Sequence, residues 1–176
     1  MPTEISGSTG VNKIQDNTIV NADINSSAAI AGSKISGGVG KVLQTVQGTS
    51  STAFTSTSTS YADIGLSVAI TPSSTSSKIL VMTSCVAYVA SSNGAWIGVK
   101  LLRGSTELIN NQRFYERNGS DLSQILAYNY LDSPSTTSST TYKLQGANTG
   151  GSGNTKFIHD LQGAGTATII AMEIAG

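Results

Sequence analysis

Apolar residues recur with two different periods along this chain, and the change falls near residue 40. In the first stretch Ile14, Ile19, Ile24, Ile30 and Ile35 are separated by 5, 5, 6 and 5 residues, with small polar residues between them. A helix needs apolar positions at steps of three and four to make one face, so this spacing predicts no stable helix. One isoleucine in five is too little for a core of the segment's own, because ordering the backbone costs roughly 1–2 kcal/mol per residue. Several copies wound about a common axis, or docking onto a larger body, would bury these side chains. Residues 1–40 are therefore expected to form an extended stalk or anchoring segment that closes in a glycine hinge at Gly37, Gly38 and Gly40.

From residue 41 the period is two. Leu66, Val68 and Ile70 alternate with small residues, which predicts a strand with one buried face. KILVMTSCVAYVA (78–90) is apolar at both parities and reads as a central strand covered on both faces. Asn93-Gly94 marks a tight turn into a strand at 95–104, followed by another at 106–114 and a second Asn-Gly turn at Asn118-Gly119. Strands are expected at 123–134, 140–146, 156–163 and 166–176, and earlier at 41–47 and in the Phe54–Ile64 region. No helical pattern interrupts them. The expectation for residues 41–176 is an all-β, antiparallel, jelly-roll-like sandwich of about nine or ten strands. Its strands carry few charges to protect their edges, and their apolar residues exceed what one small sandwich buries. A closed homotrimer resolves both, since wedge-shaped sandwiches pack about an axis that a three-chain stalk can share. Tyr128 and Tyr130, on one strand face with Leu126, are expected to line that subunit interface.

Composition narrows the function. Charged residues make up 11% of the 176, against roughly 25% in an average globular chain. The net charge is zero and the ten basic residues are scattered, so the clustered cations that nucleic-acid binding needs are missing. No apolar run approaches the roughly 18 residues of a membrane-spanning helix, and no membrane insertion is expected. The start, MPTEISGSTG, has neither a basic nor an apolar stretch, so synthesis in a cytoplasm without a signal peptide is expected. Cys85 is the single cysteine and sits in an apolar run, which predicts a buried core residue and no intrachain disulfide. His159 and Asp160 are neighbours on a predicted strand and so point to opposite faces, which predicts a solvated histidine rather than a relay. No G-x-S-x-G occurs, and GGVGKV (37–42) lacks the spacing and the hydroxyl of a phosphate loop. No catalytic, cofactor-binding or metal-binding residue is singled out, and the chain is not expected to be an enzyme.

NTIVNADINSSAAIAGSKISG resembles the short repeats of tail-fibre-like proteins of bacteriophages, especially phages of marine bacteria and cyanobacteria. STSTSYADIGLSVAITPSSTSSKILVM is similar to the first strands of a trimeric jelly-roll knob found in such proteins. TATIIAMEIAG resembles their final strand, which often ends near a Glu-Ile pair. The stretch 90–160 carries no such likeness. The resemblance implies a virion fibre or spike: residues 1–40 attach to other virion proteins of the tail or capsid, and the knob contacts a host surface glycan or protein. The alternative is a capsid fibre or decoration protein whose role is attachment and stabilisation alone. For host contact, Arg113, Tyr115 and Arg117 beside the Asn118-Gly119 turn are the candidate residues, with Trp96 second, because planar side chains on loops supply contact area at low entropic cost.

Overall fold

Ile64, Leu66, Val68 and Ile70 all fall on one side of a single strand and are all buried there, while the residues between them are exposed. The same alternation builds most of the molecule. The computed structural model describes residues 42–89, 96–115, 121–150, 153–160 and 162–176, with the backbone alone at 111–115, 160 and 164. The anchoring segment expected at 1–40, its five isoleucines, the hinge and both Asn-Gly turns lie outside the described residues. The strands are β1 (Val42–Ser50), β2 (Phe54–Ser56), β3 (Ala62–Ile70), β4 (Lys78–Val89), β5 (Trp96–Arg103), β6 (Thr106–Tyr115), β7 (Leu122–Asp132), β8 (Thr140–Asn148), β9 (Thr155–Phe157), β10 (His159–Asp160), β11 (Gly163–Ala164) and β12 (Ala167–Ile174). No helix occurs among the described residues.

Apart from the short β10–β11 pair, the strands form two antiparallel sheets. In the first, β1, β12, β4 and β7 lie side by side. β7 takes the whole of one edge of β4, so β12 and β9 share the other, pairing with Lys78–Ser84 and Ala87–Val89. The second sheet has the order β3-β8-β5-β6. Along the eight longest strands, every connection except the β5–β6 hairpin passes from one sheet to the other. That winding is a jelly roll, as the sequence predicts.

The core lies between the sheets. β4 contributes Ile79, Val81, Cys85, Ala87 and Val89, and β5, β8 and β12 answer with Ile97, Val99, Leu101, Tyr142, Leu144 and Ile169. Two glycines let the layers come this close. A Cβ on Gly48 in β1 would lie 1.9 Å from the Ser67 carbonyl oxygen of β3, where the sheets close at one side. A Cβ on Gly146 in β8 would lie 2.5 Å from the Phe157 ring.

Two buried carboxylates tie the layers at their ends. Asp132, at the end of β7, accepts from Arg103 Nη1 at 2.9 and 2.8 Å and from the Tyr142 hydroxyl at 2.6 Å. It thereby joins the first sheet to β5 and β8 of the second. Burial and the bond to Asp132 push the Tyr142 hydroxyl well above the usual tyrosine range. Glu173, on β12, accepts from the Ser73 amide (2.7 Å) and hydroxyl (2.6 Å) and from Gln44 Nε2 (2.6 Å). Gln44 Nε2 also donates to the Thr71 carbonyl at 2.7 Å, so one carboxylate pins the β3–β4 turn to two strands. Burial opposes ionisation of Glu173, but the bonds from Ser73 and Gln44 outweigh it and lower the pKa to about 2.

Four expectations need correction. The single strand at 156–163 is broken: Ile158 has φ 58° and separates β9 from β10. This is the left-handed region, unfavourable for a β-branched residue; Ile158 is held there fully buried, its amide donating to the Val86 carbonyl at 2.7 Å. Tyr128 and Tyr130 pack against the core rather than lining an interface, because β7 turns its even-numbered residues inward. His159 is half-buried rather than solvated, its ring centre 5.7 Å from that of Tyr88. Finally, β4 is central, but among the described residues only its odd-numbered face is fully buried, while Leu80, Met82, Val86 and Tyr88 on the other face are half-buried.

Candidate functional site

The outward face of β4 belongs to an apolar surface that continues onto β7 and β12. Its even-numbered residues point outward, and the register sets apolar neighbours beside them. Leu80 lies opposite Leu131 of β7 and Met172 of β12. Val86 lies opposite Ile125, and Met82 opposite Ile170. Ile125 is 66% exposed and Leu131 51%. A strand pair alternates in or out as a whole, so a chain that needed only one core would place polar residues on this face. Instead the described part of the face is free of charge across its middle. Lys78 stands at one end. At the other Tyr88 donates to Asp121 Oδ2 at 2.7 Å, with Lys156 Nζ 5.6 Å from the Tyr88 ring centre. The bond to Asp121 is the main cause that raises the Tyr88 hydroxyl above its ordinary pKa. Contiguous exposed apolar surface of this kind marks an interaction site.

The outward face of the second sheet is of the opposite kind. Lys143 Nζ lies 2.8 Å from Asp63 Oδ2, and Gln145 Nε2 donates to Asp63 Oδ1 at 2.8 Å. The bond from Lys143 leads in holding the Asp63 carboxyl below its ordinary value. Lys100 pairs with Glu107, its Nζ also 4.3 Å above the Tyr61 ring centre. Ion pairs this exposed contribute about 0–1 kcal/mol each; they fix the positions of side chains more than they hold the fold.

The sequence-selected contact residues fall on one end of this second sheet. Trp96 opens β5, half-buried, with its amide and carbonyl bonded to Gly150 and Thr149. The register sets Trp96 opposite Tyr115 and Gly98 opposite Arg113, so Arg113 and Tyr115 belong to the last part of β6 rather than to a loop. Arg117 lies outside the described residues. The set Asp63, Lys100, Glu107, Lys143 and Gln145 escapes a sequence reading, because its members come from four strands and no local spacing connects them.

No protein-family model matches the chain, and no curated protein matches it. Among solved structures, VP2 of infectious bursal disease virus in its subviral particle has a TM-score of 0.39 and 15% identity, over 76% of this chain and 38% of that one. Particles derived from the same virus give 0.40 and 16%, over 77% and 37%. Dimeric latent PorU from Porphyromonas gingivalis gives 0.39 and 10%, over 80% and 14%. The chain thus spans little more than a third of the viral proteins it matches. These are distant, partial likenesses, and the functional reading rests on the surfaces above.

Proposed function

We propose that this chain is a structural protein of a bacteriophage virion that assembles as a homotrimer through the outward face of its first sheet. Residues 1–40 attach it to the particle, and the second sheet is left outward for contact with the host. The chain acts by assembly and binding, not by catalysis. The observation that carries this reading is the neutral apolar face around Leu80, Met82, Val86, Ile125 and Leu131. A charged face would repel its own copy; this one does not. Removing apolar surface from water contributes about 25 cal/mol per Å², so two further copies about a threefold axis are a suitable cover. The likeness of the N-terminal stretch and the end strands to phage fibre proteins supports the virion assignment.

Light scattering on the purified chain tests the assembly, with an expected mass of three times 18.0 kDa. Ile125→Asp or Met82→Asp places a carboxylate from every copy in the shared apolar interface, where ionised groups lose solvation and repel. Either variant should fall to monomer while its far-ultraviolet circular dichroism keeps the parent's strand signal. A parent protein that is a clean monomer at micromolar concentration would overturn the reading. Deletion of residues 1–40 should leave a trimer that no longer joins particles; particles that still take it up would refute the anchor.

A further inference from the structure

The paired side chains on the second sheet enclose space. Beside the Lys143–Asp63 and Lys100–Glu107 pairs lies an open groove of about 570 Å³, walled by Glu107, Lys143, Gln145, Ser105 and Thr141. Leu102 faces outward on its floor and is 5% exposed beneath these polar walls. A second concavity of about 300 Å³ adjoins it, and the two share Thr141 and Lys143. Two ammonium groups and two carboxylates cancel across the face, so it offers no net field to an anion or a cation. It offers fixed donors and acceptors side by side over a small apolar floor. A polyhydroxylated ring matches that lining: each hydroxyl both donates and accepts, and the C–H face of the ring is apolar. Adjoining concavities suit linked rings.

We propose that this groove binds a neutral saccharide of two or more linked rings. The inference rests on the reading of the second sheet as the host-facing side and gives that side its ligand class. Gly104 supplies a clean test. It lines the groove at φ 57°, and a Cβ there meets nothing within 4 Å. Asparagine tolerates this backbone region, so Gly104→Asn fills the groove without loading the core. Lys143→Gln removes the shared wall cation and keeps a polar side chain.

The measurement is saturation-transfer NMR on the full chain with maltotriose, cellotriose and mannotriose as probes, and an alginate trisaccharide as the anionic comparison. Transfer from the parent to at least one neutral probe is expected, weakened about tenfold in each variant as one or two hydrogen bonds are lost. Light scattering should give both variants the parent's mass. No transfer to any neutral probe, transfer to the anionic probe alone, or undiminished transfer in both variants would overturn the proposal. The two readings fail separately: a parent that binds a neutral probe as a monomer removes the assembly and keeps the groove, whereas a trimer that binds none removes the groove alone.

Discussion

Single side chains at the ends of the sandwich hold more than their size suggests. Glu173 is fully buried yet ionised, because the groups around it donate. Its carboxyl titrates near 4.5 when the chain is unfolded and near 2 when folded. A depressed folded pKa means the stabilisation is complete above the unfolded value and is lost as pH falls toward the folded one. Glu173→Gln should therefore lower stability at neutral pH by roughly 2 kcal/mol, allowing for water near the turn, and the gap from the parent should shrink between pH 4.5 and 2. Thermal melts of both proteins across that range check it; a gap constant with pH would mean the carboxylate's charge is irrelevant. Tyr128 behaves in the opposite way. Its hydroxyl is buried with no hydrogen-bond partner among the described residues, and burial pushes its pKa up to about 12. A buried polar group left unpaired costs free energy, so Tyr128→Phe should leave the melting temperature unchanged or raise it. A fall of several degrees would mean that the hydroxyl is paired after all.

At the scale of strands, close packing is decided by what is absent. Gly146→Ala would drive a methyl group into the Phe157 ring and within 2.9 Å of Ile64. The strand pair β8–β3 then has to shift, at a cost of about 1–3 kcal/mol, read as a lower midpoint in urea with the slope unchanged. The clash involves three residues distant in the chain, which is why sequence alone does not show it. What sequence shows well is alternation. Leu66, Val68 and Ile70 define β3, and the apolar run from residue 78 ends within one residue of β4. The breaks are less legible. Nothing in KFIHD signals the left-handed turn at Ile158, because the apolar pattern runs straight through it. Nor does an apolar pattern say which of two faces meets the other sheet and which points outward. β4 is apolar on both, and only the pairing with β7 and β12 shows how far the outward face extends. The candidate contact residues show the same limit. Trp96 and Tyr115 are set opposite each other only by the β5–β6 register.

The sandwich formed by the described residues has two unlike sides. One sheet is neutral and apolar outside, the other polar and grooved, and a trimer of the kind proposed above hides the first and shows the second. The order in which the chain is made adds a condition. β12 is the last of the twelve strands in sequence, and it lies between β1 and β4 in the first sheet. While β12 is still within the ribosome, β1 lacks its sheet partner and β4 has one edge largely bare. The earlier strands emerge with nothing to close them, and the pairing Val42↔Ile174 spans almost the whole of the described chain. Loop closure over such a distance makes folding slow. The sheet therefore stays open until β12 has left the ribosome, and the apolar face proposed to join the copies is completed in the same step. The strand that finishes the fold thus also finishes the face proposed above for assembly.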